Sequence, residues 1–256
     1  MSQLRIQNAR AVAYRALCLG ALLKRGALEV IIQDVDQWVV FDEVREQVIK
    51  KQNQLNADLN QWLIDENIQL HLSETEQHLL ARPLGSWTER TLMTVGWRTE
   101  ALGTMLWALG RFDAMLAYDT QFETDDVLDP LDILNPTIDF IWLADLRPER
   151  ELSAAREQAE LWNWRSRARE LQRMGVRPPE GVSFNDIIRF TAERAYSNGH
   201  LPQPINGDFP AFNKSYAQLN PDEYALMSAI AYERNSAMSW ICEVTSQWES
   251  IRIDYR

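Results

Sequence analysis

The residues best suited to chemistry are Glu100, Glu233 and Arg234, with Arg98 close to the first of them. Glu100 sits in an apolar stretch, stacked with Gly96, Gly103 and Trp107 at i, i+4, i+7 and i+11 spacing on one helical face. Arg234 interrupts a stripe of Met227, Ile230, Ala231, Ala237, Met238, Ile241 and Trp248 where an apolar residue is expected. A carboxylate buried alone is penalised on the order of several kcal/mol, so Glu100 needs a partner. The planar fork of an arginine matches a carboxylate, which makes Arg234 the first choice and Arg15 or Arg165 the alternatives. Walled by Trp97, Trp107 and Trp240, such carboxylates would have raised pKa values and could act as general acid or base. That makes Glu100, Glu233 and Arg234 the catalytic candidates of an enzyme reading. The competing reading is a structural ion-pair network that fixes how two buried helices cross. It is preferred, because no nucleophile elbow, phosphate loop or HExxH accompanies these residues.

Two helices must position these groups. Ser86 to Gly110 reads as a central buried helix, with Leu92, Val95, Leu102, Leu106 and Leu109 in one apolar row and Trp97, Ala101, Met105 and Ala108 in a second. Ser86 and Glu89 give it a capping box, and Gly110 a stop. The two glycines beside Glu100 predict a close-packed neighbour. The second helix runs from about 221 to 248, opened by Asn220 as cap, Pro221 at the first position and Glu223 at the third. Around them the spacing predicts a helix ending near Gly26 and a β-branched stretch over 27–41 that is strand or buried helix. Further helices are predicted over 43–67, from Ser73, over 147–177 and from Ser183. Residues 198–219, with Phe209, Phe212 and Tyr216, read as an ordered loop. The fold class is all-α: one irregular helical bundle over residues 1–256, with at most a minor strand element near 28–35.

The net charge of −11 excludes a nucleic-acid or anionic-membrane binder that works through a basic surface. No run reaches the roughly 20 apolar residues a bilayer span needs. The apolar run at 16–23 is followed by Lys24-Arg25-Gly26 in place of a cleavage site, so a soluble cytoplasmic protein is expected. Cys18 and Cys242 read as reduced core residues. His71, His78 and His200 are too scattered for a ligand set, and the acidic residues lack the pattern of a calcium loop. No metal or cofactor is expected.

The charge is unevenly distributed. Asp113, Asp119, Glu123, Asp125, Asp126, Asp129, Asp132, Asp139 and Asp145 fall in a stretch without Lys or Arg, and an Arg-rich segment follows. A patch of one sign steers association, so Asp119, Glu123, Asp125, Asp126 and Asp129 are candidate docking residues for a basic protein partner. The bland alternative is a solvated surface partly neutralised by the arginines of 147–177.

Several motifs resemble one family. They are Arg15-Ala16-Leu17-Cys18-Leu19 followed by Arg25-Gly26, and Trp97-Arg98-x-Glu100-Ala101-Leu102 followed by Leu106-Trp107-Ala108-Leu109-Gly110. To these add Trp162-x-Trp164-Arg165 and Glu233-Arg234-x-x-Ala237-x-x-Trp240, with Trp248 and Asp254. Together they resemble domain-of-unknown-function family 4272, over about residues 10–254. Asn235 stands where the pattern has His, and Ser239 where it has Asn, so chemistry resting on that histidine would be missing here. The resemblance implies one largely helical, intracellular bacterial domain without an established activity. The reading that follows is a non-enzymatic interaction module, for example an immunity or adaptor protein. An enzyme of unknown substrate, hydrolase-like, is the alternative.

Overall fold

Asn8 opens the first helix, α1 (Ala9–Trp38), its side chain accepting the Ala11 N–H at 2.8 Å. The structure, a computed structural model, describes residues 5–178, 181–242 and 248. α1 does not stop at Gly26, and residues 27–38 are helix where a strand was possible. Helix propensities of β-branched residues fall short of alanine by only a few tenths of a kcal/mol each. Against that stand the burial of Leu28 and Val35 and the i, i+4 pair of Arg25 with Glu29, 2.5 Å apart and fully buried.

α2 (Asp42–Asp65) returns along α1, burying Leu59, Trp62 and Leu63, while Val44 stays exposed. After a 3₁₀ turn at Ile68–His71, α3 (Glu74–Leu80) starts with the expected Ser73–Glu76 capping box. α4 (Glu89–Ala108) is the central helix, buried without interruption from Arg98 to Ala108. Its cap is Thr88, which accepts the Thr91 N–H, and not Ser86, whose hydroxyl has no partner among the described residues. At the other end Gly110, at φ +68, closes a Schellman motif: the Arg111 and Gly110 N–H groups bond the Leu106 and Trp107 carbonyls, each at 2.9 Å.

The acidic segment holds the short helices α5 (Thr124–Leu128) and α6 (Ile138–Trp142) and a 3₁₀ turn at Asp129–Leu131. α7 (Glu149–Arg173), α8 (Phe184–Ser197) and α9 (Pro221–Ile241) complete the bundle. Asn220, Pro221 and Glu223 open α9 as the sequence predicts. The predicted stretch 243–247 lies outside the described residues. In space the large helices form a row, α2–α1–α4–α9–α7–α8, so α4 and α9 pack side by side at its middle. Buried apolar residues from Val12 to Trp248 form one cluster.

Among the described residues 68% are helical, and the fold is all-α. The minor strand element lies at β1 (Pro210–Ala211) and β2 (Lys214–Ser215), not near 28–35. Phe212 and Asn213 both have positive φ, so a type I′ turn joins the two strands. Among the described residues no helix is long and apolar enough to cross a membrane.

Candidate functional site

Glu100 on α4 and Arg234 on α9 are both fully buried and face each other across the helix pair. The Arg234 Nε–H donates to Glu100 Oε2 at 2.8 Å. The rest of the guanidinium serves the loop that follows α4. Nη1 donates to the Leu116 and Ala117 carbonyls at 2.7 and 3.1 Å, and Nη2 to the Thr120 carbonyl at 2.7 Å. The second carboxylate oxygen of Glu100 accepts the Phe122 N–H at 2.9 Å. Burial pushes the Glu100 carboxyl above its ordinary range, against the opposite pull of the Arg234 charge and the Phe122 N–H. The walls are the rings of Tyr118 and Phe122, 5.0 and 5.1 Å from the guanidinium carbon, rather than the expected tryptophans. Trp107 lies instead under Arg147, and Trp240 meets Trp248 edge-on.

Glu233, the other catalytic candidate, is buried and takes the Arg98 guanidinium at 2.9 Å. Two adjacent α9 residues of opposite charge thus reach two α4 residues of opposite charge. The arrangement fixes rotation and register of the two helices. It leaves neither oxygen of Glu100 and no nitrogen of Arg234 free for a substrate.

What the pair does hold is the acidic segment. Phe122 enters a notch at Gly103, where a Cβ would collide with its ring, and Leu131 enters a second notch at Gly20 on α1. Gly96, expected to admit a close neighbour, faces open space. Glu66 accepts from the Thr137 N–H and hydroxyl at 2.9 and 2.6 Å, and the Trp62 indole N–H donates to the Asn135 carbonyl at 2.8 Å. Arg147 closes the start, its Nε on the Trp107 carbonyl and its Nη2 on those of Phe112 and Asp113. A segment with little regular structure is therefore tied down along its length.

On this platform Glu123, Asp125, Asp126 and Asp129 are exposed, and none of the ion pairs among the described residues involves them. Asp125 and Asp129 turn away from the buried Val127, as helical spacing requires. Asp119 differs: it is half-buried and accepts the Phe212 N–H at 2.9 Å, holding the β1–β2 turn. The arginines of α7 do not neutralise the segment. Arg165 grips Asp208 with two bonds, at 2.7 and 2.8 Å, and Arg169 bonds the carbonyls of Tyr216 and Leu219.

The three histidines lie apart. His71 stacks on Tyr14, His200 meets Glu157 at 3.1 Å, and His78 is on the α3 surface. Among the described residues no group of three or more His, Cys, Asp or Glu could hold a metal ion. Sequence reasoning missed Tyr118, Phe122 and the Gly20–Leu131 notch. The signal for the Phe122 notch was Gly103, whose predicted close-packed neighbour the sequence does not name.

A family model described as "Domain of unknown function (DUF4272)" matches residues 1–185. The chain belongs to the DUF4272 family. The matched stretch contains α4 and the acidic segment, while Glu233 and Arg234 lie beyond it, so the motif resemblance read to residue 254 extends past the match. No curated protein matches the chain, and no solved structure does.

Proposed function

We propose that this DUF4272 member is a cytoplasmic, non-enzymatic protein–protein interaction module that docks a basic protein partner, in an immunity or adaptor role. The docking face is Glu123, Asp125, Asp126 and Asp129, with Asp119 serving to place it. The observation that carries the reading is that four exposed carboxylates, without ion-pair partners among the described residues, stand on a backbone pinned by the buried Glu100–Arg234 pair. Fixed like charges focus a potential that speeds encounter with an oppositely charged surface, and a pinned backbone avoids the ordering cost a mobile loop would incur on binding. The enzyme alternative draws no support from Glu100 and Arg234, whose polar atoms are engaged within the fold.

The test is a capture experiment at low and moderate salt with wild type and the variant E123Q/D125N/D126N/D129N. The expected result is one basic protein retained by wild type and lost by the variant, and rebinding of that purified protein with a salt-sensitive association rate. Retention of the same protein by the variant at both salt levels, or no retained protein with wild type, overturns the reading.

A further inference from the structure

A second region of the molecule reverses the overall charge. Between the first turn of α1, the Ile68–His71 turn and the end of α9 lies a cleft of about 580 Å³, within the size range of small-molecule sites. Arg10, Arg15, Tyr14, His71, Trp240 and Trp248 are its main walls, and among the described residues no Asp or Glu lines it. In a chain of net charge −11 that is the opposite of what the average surface offers.

We infer that this cleft binds a small organic anion that carries a flat ring. Arg15 is only 5% exposed; its Nη2 meets Glu76 at 2.5 Å and its Nη1 reaches the His71 carbonyl at 3.4 Å. Its Nε has no partner among the described residues. A buried guanidinium N–H left unsatisfied costs free energy that an anionic oxygen would recover. Glu76 cancels the charge of Arg15, whereas Arg10 enters none of the ion pairs among the described residues. Its guanidinium carbon lies over the Trp142 ring, 3.8 Å from the centroid, which holds it in place. The α1 N-terminus adds its dipole, and its first turn contains no acidic residue.

The ring half of the ligand follows from the walls. Trp240 and Trp248 meet edge to face with centroids 5.9 Å apart, and Tyr14 stacks on His71 at 3.7 Å. Burial and the Arg15 charge hold the His71 imidazole below its ordinary value, so near neutral pH it offers an aromatic face and not a charge. The Ser73 hydroxyl, also on the cleft wall, is free to donate to an anion while it caps α3. A carboxylate and a phosphate share this chemistry.

The two sources are separated by titrating the full chain calorimetrically with indole-3-acetate and with AMP. Indole and adenosine serve as the rings without charge, acetate and inorganic phosphate as the anions without ring. At least one ring-bearing anion is expected to bind about tenfold more tightly than either of its halves. Binding of indole-3-acetate alone assigns a carboxylate, and binding of AMP alone a phosphate. Arg10→Gln changes an exposed residue and leaves the fold intact; it is expected to weaken that probe about fivefold or more. Arg15→Lys keeps a charge opposite Glu76 but removes Nε, and the folded variant is expected to lose about as much. The inference is overturned if neither ring-bearing anion binds at about 1 mM. It is equally overturned if the uncharged ring binds as well, or if Arg10→Gln binds like wild type.

Discussion

Arg234 donates to Glu100 across the α4–α9 interface at 2.8 Å and, with its remaining nitrogens, to three carbonyls of the loop that follows α4. One side chain thus joins two helices and a loop, which makes the pair a fold determinant. Removing one partner of a buried ion pair strands the other charge and costs about 3–5 kcal/mol. Glu100→Ala and Arg234→Ala are each expected to lower the melting temperature by roughly 10 °C, at about 2–4 °C per kcal/mol for a chain of this size. The double variant is expected to cost less than the sum, by about 0.5–3 kcal/mol of coupling. Thermal melts of the three variants measure this. Additive losses would mean the two residues act separately.

The pair also sets a pH dependence. The Glu100 carboxyl is raised in the folded state, chiefly by burial, so the folded protein holds that proton more tightly than the unfolded chain does. Its contribution to stability is greatest below the unfolded-state value and declines as the pH rises through the folded-state value. Arg234→Ala removes the charge that opposes this shift and so moves the folded-state value further up. The stability gap between wild type and Arg234→Ala is therefore expected to be wider at pH 8 than at pH 5, as about neutral burial of a protonated acid costs less than that of a bare charge. In a Glu100→Gln background the loss caused by Arg234→Ala should be the same at the two pH values. Denaturant titrations at both pH values decide it, and a gap independent of pH contradicts it.

Where the sequence was legible, the signal was local and periodic. The apolar rows of α4, the Ser73 and Asn220 capping boxes and the placement of Glu100 and Arg234 on buried faces all follow from spacing within one helix. Where it misled, a tertiary contact won. Gly26 is passed through by α1 because packing on Val95 and Trp87 and the Arg25–Glu29 pair outweigh a weak propensity. The β1–β2 turn carries Phe212-Asn213 in place of an Asn-Gly signal, and its geometry is held from outside by Asp119, 93 residues away in the chain. The same limit hid the platform under the acidic residues, since charges show in composition but the notches at Gly103 and Gly20 show only in three dimensions.

The notch at Gly103 and the open space at Gly96 give opposite expectations for two glycines on one helix. At Gly103 an added Cβ collides with the buried Phe122 ring, and overpacking of this kind typically costs about 1–3 kcal/mol. At Gly96 a Cβ meets nothing, so alanine gains helix propensity of up to about 1 kcal/mol. Gly103→Ala should therefore lower the melting temperature and Gly96→Ala raise it. If both moved in the same direction, Phe122 would not be seated as described.

The thiols offer a check on the core. Burial pushes Cys18 up to about 12 and Cys242 up to about 11, so the thiolate is scarce at pH 8 in both. Both are buried and free. Ellman's reagent is expected to react with neither on mixing, and with two thiols per chain after denaturation. Prompt reaction of one thiol in the folded protein would place that cysteine outside the core.

The acidic segment separates by role. Asp119 accepts a backbone N–H in a half-buried setting, and a hydrogen bond to a charged group contributes about 1.5–3 kcal/mol. Asp119→Ala should cost toward the lower end of that range, by loosening the Phe212 turn. Glu123, Asp125, Asp126 and Asp129 are exposed and outside the ion pairs of the described residues, and surface substitutions of this kind stay within about 0.5 kcal/mol each. Neutralising them relieves repulsion among like charges, so E123Q/D125N/D126N/D129N is expected to melt at or slightly above wild type in low salt. The difference should shrink in high salt, where exposed charges are screened. Melting curves of both variants at two salt concentrations measure the separation. A large loss of stability in the four-fold variant would mean that these carboxylates serve the fold, and the docking face would then have to be sought elsewhere on the molecule.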